Sequence, residues 1–280
     1  MSRALKVVVD GRMVGRRGHG IARYVEGILE GLCSFQRSYS LVVLVGAERS
    51  DRLVRLSQAS GPDLQLVEVR APFLSLSEVF EVPRILRKLG ADLYHSPSFS
   101  SLAGCPCPHV QTIHDLNHLT YGGFKQKVYY RTLLKSFARR SRAVMTVSEV
   151  ARQEISEWLG QDPSRLTVIR NPIELMPGSS DPAATLSTYG LTRGAYFIVL
   201  AGDKPHKNLR MLARAHAAYR SQGGAWPLFT PVGELDDAGL SDLVSGAGAL
   251  LSPSLYEGFG RPPVEALLAE VPVILSDIPA

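Results

Sequence analysis

No stretch of this 280-residue sequence approaches the roughly 20 consecutive apolar residues that a membrane helix needs. The start, Met1-Ser2-Arg3-Ala4-Leu5-Lys6, has no long apolar run behind its charges, so no signal peptide is expected. Cysteine is scarce: Cys33, Cys105 and Cys107 are all there is. An odd, sparse count argues against a disulfide framework and points to a reducing compartment, so a cytoplasmic location is expected. Cys105-Pro106-Cys107 has no second Cys or His pair at matching spacing, and no metal site is expected. Charge of one sign is not in large excess, with 31 Lys and Arg against 26 Asp and Glu, a net +5. That balance suits diphosphates or acidic lipid surfaces. It is thin support for nucleic acid, and no nucleic-acid partner is expected. With 45% hydrophobic and 20% charged residues the chain is an ordinary globular one, not a disordered one.

What is present is a regular alternation. Val7-Val8-Val9 before Asp10-Gly11 reads as a buried first strand, and the spacing of Ile21, Val25, Ile28 and Leu32 reads as a helix after a Gly-rich loop. Strands are expected at 41–45, 64–69, 92–95, 110–114, 143–147 and 166–169. Helices are expected at 78–89, 124–142 and 149–159. Residues 172–182, rich in Pro, Gly, Ser and Asp, read as a linker. The alternation then restarts, with strands at 196–201, 249–252 and 272–275 and helices at 208–220, 235–244 and 263–268. This pattern predicts α/β architecture with parallel sheets. It gives a first lobe over 1–182 and a second over 183–280.

The most informative stretch is Ser252-Pro253-Ser254-Leu255-Tyr256-Glu257-Gly258-Phe259-Gly260-Arg261-Pro262-Pro263-Val264-Glu265. A strand ends, two glycines allow close backbone approach, and two prolines open a helix. A helix start behind such a loop is a site for phosphate. Glu257 and Glu265 flank it and are placed to hold hydroxyls on either side. The alternative is a strand–turn–helix with solvated acids, and the residues alone leave both open.

Glu257 and Glu265, with seven residues between them and Gly258-Phe259-Gly260 inside, resemble the signature of retaining glycosyltransferase family 4 (group 1). The resemblance implies that Glu257 contacts a donor sugar, Glu265 the ribose hydroxyls, and the Gly258, Phe259 and Gly260 backbone the diphosphate. Arg261 stands where the family usually has an apolar residue, a change that is tolerated or adds a charge near phosphate. Gly202-Asp203-Lys204-Pro205-His206-Lys207-Asn208 is a second match, in which Lys207 is similar to the lysine that neutralises the diphosphate. A point positive charge is what a leaving diphosphate requires. Otherwise Lys207 is an exposed lysine at a helix start, where it would oppose the dipole. His206 assists it or caps the turn.

In the first lobe, Gly18-His19-Gly20 lacks the third glycine of a dinucleotide fingerprint. With Arg12, Arg23 and Tyr24 it resembles the family's first loop, which implies that Gly18 and Gly20 approach the donor. His114, in His114-Asp115-Leu116-Asn117-His118, resembles a histidine that faces the donor sugar. His118 and His95 are expected to pack, and Ser148 to cap a helix. The resemblance spans nearly the whole chain. It implies the GT-B fold: two Rossmann-like lobes with parallel sheets facing a cleft.

Two departures make the second lobe incomplete. Residues 223–230 run almost straight into Val232-Gly233-Glu234, where the family has a further segment of about 20 residues, roughly one βα unit. After Ile278-Pro279-Ala280 the family usually continues. The expectation is a fragment or a compact variant with exposed sheet edge and apolar helix faces.

The expected function is transfer of a hexose, mannose-like, from a GDP- or UDP-linked nucleotide-sugar to a glycan or lipid-linked acceptor. Loose similarity to mannosyl- and rhamnosyltransferases of polysaccharide assembly suggests the sugar. Lys207, Glu257 and His114 carry the reaction, and no cofactor beyond the donor substrate is expected. The rival reading is a catalytically inactive remnant that binds nucleotide weakly or serves as a partner subunit. Lys125, Lys127, Arg131, Lys135, Arg139, Arg140 and Arg142, with Tyr129, Tyr130 and Phe137, read either as a basic helix docking on the anionic inner face of the membrane or as a solvated face.

Overall fold

The Val7-Val8-Val9 run forms strand β1 (Leu5–Asp10) in the computed structural model, which describes residues 4–15, 20–35, 38–102, 104–174, 178–231 and 235–279. Contacts divide the chain into two units, Met1–Pro172 and Ile173–Ala280.

In unit 1, β1 is followed by α1 (Gly20–Ser34), β2 (Tyr39–Val45), α2 (Asp51–Ser60), β3 (Leu64–Glu68) and α3 (Glu78–Leu89). Then come β4 (Leu93–Ser96), β5 (His109–Thr112), α4 (Asn117–Thr120), α5 (Phe124–Tyr129), α6 (Lys135–Arg140), β6 (Ala143–Thr146), α7 (Glu149–Leu159) and β7 (Leu166–Val168). The sheet is parallel, in the order β3-β2-β1-β4-β5-β6-β7. Val8 pairs with Val42 on one side and Tyr94 on the other. The chain moves outward from β1 to β3 and returns to the opposite side of β1 as β4. That reversal opens a crevice at the carboxyl ends of β1 and β4, where α/β sheets bind ligands. Val8, Val42, Leu44, Leu86, Tyr94 and Phe137 form one buried cluster, and Ile113, Tyr130, Leu134, Ile155 and Leu159 another.

Several features differ from the sequence reading. Helix α2 is additional: Ser50 caps it by accepting from the Leu53 amide at 3.2 Å, but Leu53 is its one buried residue, so it has no apolar stripe to read. The basic helix expected over 124–142 is interrupted by a π-helical turn, Tyr130–Leu134, that widens it. Tyr130, Leu134, Phe137 and Ala138 all reach the core around that turn. Tyr130 and Phe137 are therefore core residues and not part of a basic surface.

Unit 2 contains α8 (Pro182–Thr188), β8 (Phe197–Ile198), α9 (Leu209–Ser221), β9 (Leu228–Phe229), α10 (Asp237–Ser245), β10 (Ala249–Ser252), α11 (Arg261–Leu268) and β11 (Val273–Leu275). Its sheet is also parallel, in the order β11-β10-β8-β9. The same reversal occurs here, between β8 and β10. Strand β9 is two residues long and ends its sheet, and α10 begins eight residues after it. Among the described residues no strand lies outside β9, which agrees with a missing βα unit. The boundary between the units falls after Pro172, so the described residues of the expected linker from Ile173 on go with unit 2. Ser179 and Thr185 both bond to the buried Asp242 of α10, the Thr185 hydroxyl at 2.7 Å. Asp181 caps α8 and Pro182 sits in its first turn.

Candidate functional site

Unit 2 brings two loops together at the carboxyl ends of β8 and β10. Pro205–Lys207 is a single 3-10 turn, followed by Asn208 at φ 53 and then α9. The Leu255 amide donates to the His206 carbonyl at 2.7 Å, which staples this turn to the loop after β10. Lys207 then reaches Glu257: its Nζ lies 2.5 Å from Oε1, with both side chains about one-fifth exposed. The Ser254 hydroxyl donates to the same oxygen at 2.6 Å and fixes the carboxylate. His206 is buried. Burial, and then the adjacent Lys207 charge, hold its imidazole below the usual range, so it is neutral at pH 7.

Gly260 stands at φ 75 at the start of α11, a left-handed conformation that costs a glycine nothing. The prolines expected in the first turn are there, and they remove two donors. Pro262 and Pro263 have no N–H, so neither can donate to an anion at this helix start. Arg261 pairs with Glu265 one turn on, Nη2 to Oε1 at 2.8 Å. The sequence reading sent Lys207, Glu257 and Glu265 to a ligand and left Arg261 either simply tolerated or a charge near phosphate. The structure pairs them with one another, lysine with glutamate and arginine with glutamate.

Unit 1 carries a second polar cluster in its own crevice. Asp10 ends β1, and Arg12 turns back on it with two bonds, Nε to Oδ1 at 2.9 Å and Nη2 to Oδ2 at 2.6 Å. The other guanidinium nitrogen lies 2.9 Å from Glu78 Oε2, and the Tyr94 hydroxyl donates to Asp10 at 3.0 Å. Ser100 donates to Glu78 at 3.1 Å, and the guanidinium lies 5.4 Å from the centroid of Phe73. These ion-paired side chains are 2–3% exposed. Burial is the largest single effect and opposes the Arg12 charge, but Asp10, Tyr94 and Glu78 together outweigh it and hold the guanidinium above its ordinary range. Burial raises the Glu78 carboxyl against the pull of Arg12. Sequence reasoning named Arg12 but missed Glu78, which looked like any acid in a first helical turn.

His114 follows β5. Its Nε2 lies 2.9 Å from the Pro97 carbonyl, so Nε2 carries the proton and donates. Its ring meets Tyr24 edge-on at 4.6 Å. Beneath it, buried His95 bonds Thr112 at 2.9 Å, and Tyr24 lies 3.4 Å from the same hydroxyl. Burial, then neighbouring His114, lower His95 to about 4. The packing roles expected of His95 and His118 are met: His118 bonds the Tyr130 hydroxyl at 2.9 Å and lies against Phe99. Ser148 caps α7 through the Ala151 amide at 3.1 Å. Gly20 begins α1, and Gly18 lies outside the described residues. Among the described residues no group of three or more His, Cys, Asp or Glu is placed to hold a metal.

Residues 18–176 match the family model described as Glycosyltransferase Family 4, and residues 195–280 match Glycosyl transferases group 1. The chain is 30% identical over 194 residues to the O-antigen chain mannosyltransferase RfbU of Salmonella typhimurium, a match of 60% of this chain and 52% of that protein. It thus spans about half the length of that relative. It is 26% identical over 314 residues to O-antigen chain mannosyltransferase B of Escherichia coli, covering 92% of this chain and 79% of the relative. An alignment longer than the 280 residues here means that the relative carries residues with no counterpart in this chain. Among solved structures, Anabaena HepE in complex with UDP and glucose superposes with a TM-score of 0.65 at 16% identity, over 98% of this chain and 81% of that one. The catalytic domain of Starch Synthase IV from Arabidopsis thaliana, bound to ADP and acarbose, gives 0.66 at 13%, over 98% and 83%.

Proposed function

The chain belongs to glycosyltransferase family 4, and on that premise we propose that it moves a hexose, mannose or a close relative, from a nucleoside diphosphate sugar to a glycan or lipid-linked acceptor. Retention at the anomeric carbon is part of the proposal, and GDP or UDP is the nucleotide. The observation that carries it is the Lys207–Glu257 pair at 2.5 Å, adjoining the Gly258-Phe259-Gly260 turn at a sheet reversal. The two relatives named as mannosyltransferases support the sugar.

Lys207 trades Glu257 for the diphosphate when the donor binds. Negative charge grows on the leaving diphosphate as the glycosidic bond breaks, so a fixed ammonium and the 258–261 amides stabilise the transition state more than the bound donor. The carboxylate of Glu257, still held by Ser254, then turns an oxygen to sugar hydroxyls. Glu265 takes the ribose hydroxyls while Arg261 holds it in place. His114, with its tautomer set by Pro97, suits hydrogen bonding to a sugar hydroxyl. No covalent role for either glutamate is assumed.

Peripheral docking on an anionic membrane belongs to the same proposal. Phe124, Val128 and Leu133 are exposed large apolar side chains, in the company of exposed Lys125 and Arg131. Lys135 lies over Trp158, and Arg139 donates to the Leu159 carbonyl, so both are partly engaged with α7. Among the described residues no helix is long and apolar enough to cross a membrane.

Turnover tests the assignment. The protein is incubated with GDP-mannose and UDP-glucose, with and without a lipid-linked glycan, and released nucleoside diphosphate is measured. Acceptor-dependent release is expected, and Lys207→Ala lowers it about 100-fold. No release and no nucleotide binding with any donor would instead favour the inactive remnant. Co-sedimentation with vesicles that is independent of anionic lipid would remove the membrane part alone.

A further inference from the structure

Cys105 and Cys107 flank Pro106 in the turn that leads into β5, at the end of the sheet opposite the crevice. Their sulfurs are 4.0 Å apart. Both are half-buried against the cluster that contains Leu86, Tyr94 and Phe137. A disulfide's S–S bond is about 2 Å long, so the two sulfurs stand about 2 Å beyond bonding distance.

His109 opens β5 beside them. Its ring stacks on Phe137 with centroids 3.9 Å apart, and its Nε2 lies 3.1 Å from the Phe137 carbonyl. A carbonyl only accepts, so Nε2 carries the proton and Nδ1 is the basic nitrogen. His109 is among the groups that lower the Cys105 thiol, and with Nε2 committed to Phe137 its Nδ1 is the nitrogen left to take a proton. The bond from Cys107, and then that to His109, hold the Cys105 thiol below its ordinary range against the effect of burial. Pairing with Cys105, and then burial, push the Cys107 thiol up. The two sulfurs are therefore unequal, one primed to ionise and one held as a thiol. Among the described residues no third ligand joins them to make a metal site. A disulfide here would also close a loop too short to add much stability, which leaves reactivity as the consequence of the arrangement.

We propose that Cys105 and Cys107 form a reversible dithiol–disulfide couple driven by hydroperoxide, with Cys105 as the attacking thiol, His109 as its base and Cys107 as the resolving thiol. Cys105 gives its proton to His109 Nδ1, and the thiolate attacks one oxygen of the hydroperoxide. The S–O bond forms as the O–O bond breaks, and the departing hydroxide takes the proton from His109 and leaves as water. Cys107 then attacks the sulfenic sulfur of Cys105. The S–S bond forms, the S–O bond breaks, and hydroxide leaves with the Cys107 proton as a second water. Two thiols lose two electrons, and the peroxide accepts them.

The test is hydrogen peroxide at one equivalent, then alkylation and peptide mass mapping of the whole chain. The expected product is a peptide lighter by about 2 Da that links Cys105 to Cys107, with Cys33 still alkylated and both thiols recovered by dithiothreitol. Cys107→Ser should trap a dimedone-reactive sulfenic acid on Cys105. Two results would overturn the proposal. In one, Cys105 and Cys107 remain alkylatable to the same extent as Cys33. In the other, Cys105 goes on to the sulfinic acid while Cys107 stays a free thiol. Equal sulfenic acid on Cys107 in Cys105→Ser would overturn the division of roles. Alkylation against pH gives a second readout, in which Cys105 should reach its full rate at lower pH than an ordinary cysteine thiol.

Discussion

At the carboxyl end of β1 an arginine lies 2.6 Å from one acid and 2.9 Å from another, with all three side chains no more than 3% exposed. At the carboxyl end of β8 and β10 a lysine lies 2.5 Å from a single acid, and each keeps about one-fifth of its surface. Both clusters sit where a parallel sheet reverses its winding. The difference lies in what each can afford to release. A buried pair cannot lose one partner without stranding the other charge. A pair that keeps about one-fifth of its surface can exchange a partner for a ligand or for water at less cost than a buried one. The Arg12 cluster therefore reads as a frame that joins β1, α3 and the loop after β4. The Lys207 pair reads as a site.

Single substitutions can break that contrast. Arg12→Ala has the largest expected effect: it strands Asp10 and Glu78 in the interior and should cost about 3–5 kcal/mol. Thermal unfolding would register that as a fall of roughly 10 °C or more. A loss under about 1 kcal/mol would mean that the unit 1 cluster is as exchangeable as the unit 2 pair.

The next effect depends on pH. His95 is lowered to about 4, first by burial and then by His114, against an opposing pull from Asp10. An unfolded histidine titrates at roughly 6.5, so between there and about 4 the unfolded chain holds more protons than the folded one. Stability contributed by neutral His95 is then complete above the upper limit and is lost as pH falls, by at most ~1.4 kcal/mol per pH unit. His95→Gln should flatten that acid limb of the stability profile. An unchanged slope would show that the histidine is not held neutral.

Smaller stability changes are expected in unit 2. Lys207→Ala should alter folding stability by no more than about 1 kcal/mol, measured by urea unfolding, while weakening nucleotide binding. Smallest of all is Arg261→Leu, which removes an i,i+4 pair worth about 0.3–0.5 kcal/mol. It leaves Glu265 without its arginine, and its effect should appear in ribonucleotide affinity before it appears in stability.

Much of the architecture was legible because burial writes itself into period. Strand β1 shows as three consecutive valines, and α3 falls on the residues its apolar spacing predicts. What was not legible had little to bury or depended on distant partners. Helix α2 buries one leucine, and β9 is two residues long. The π turn at Tyr130–Leu134 answers to packing from α7 and the sheet, not to any local preference. In the site, Lys207 and Glu257 were each visible as residues of a recognised pattern. Their pairing across 50 residues of sequence was not, because a motif assigns roles toward a ligand and says nothing about what side chains do to one another. The Arg12–Glu78 contact was hidden for the same reason. The two prolines of α11 were seen as helix starters, while their other consequence, two missing amides, matters only when the donors are counted.

The central claim is that the Lys207 ammonium, released from Glu257, is a principal anchor for a nucleoside diphosphate. Calorimetric titration of GDP and UDP into the parent and into Lys207→Ala tests it most directly. The account predicts that the parent binds at least one of the two, and that the variant, folded and equally stable, binds it at least about 10-fold more weakly. Equal affinity in the folded variant would contradict it.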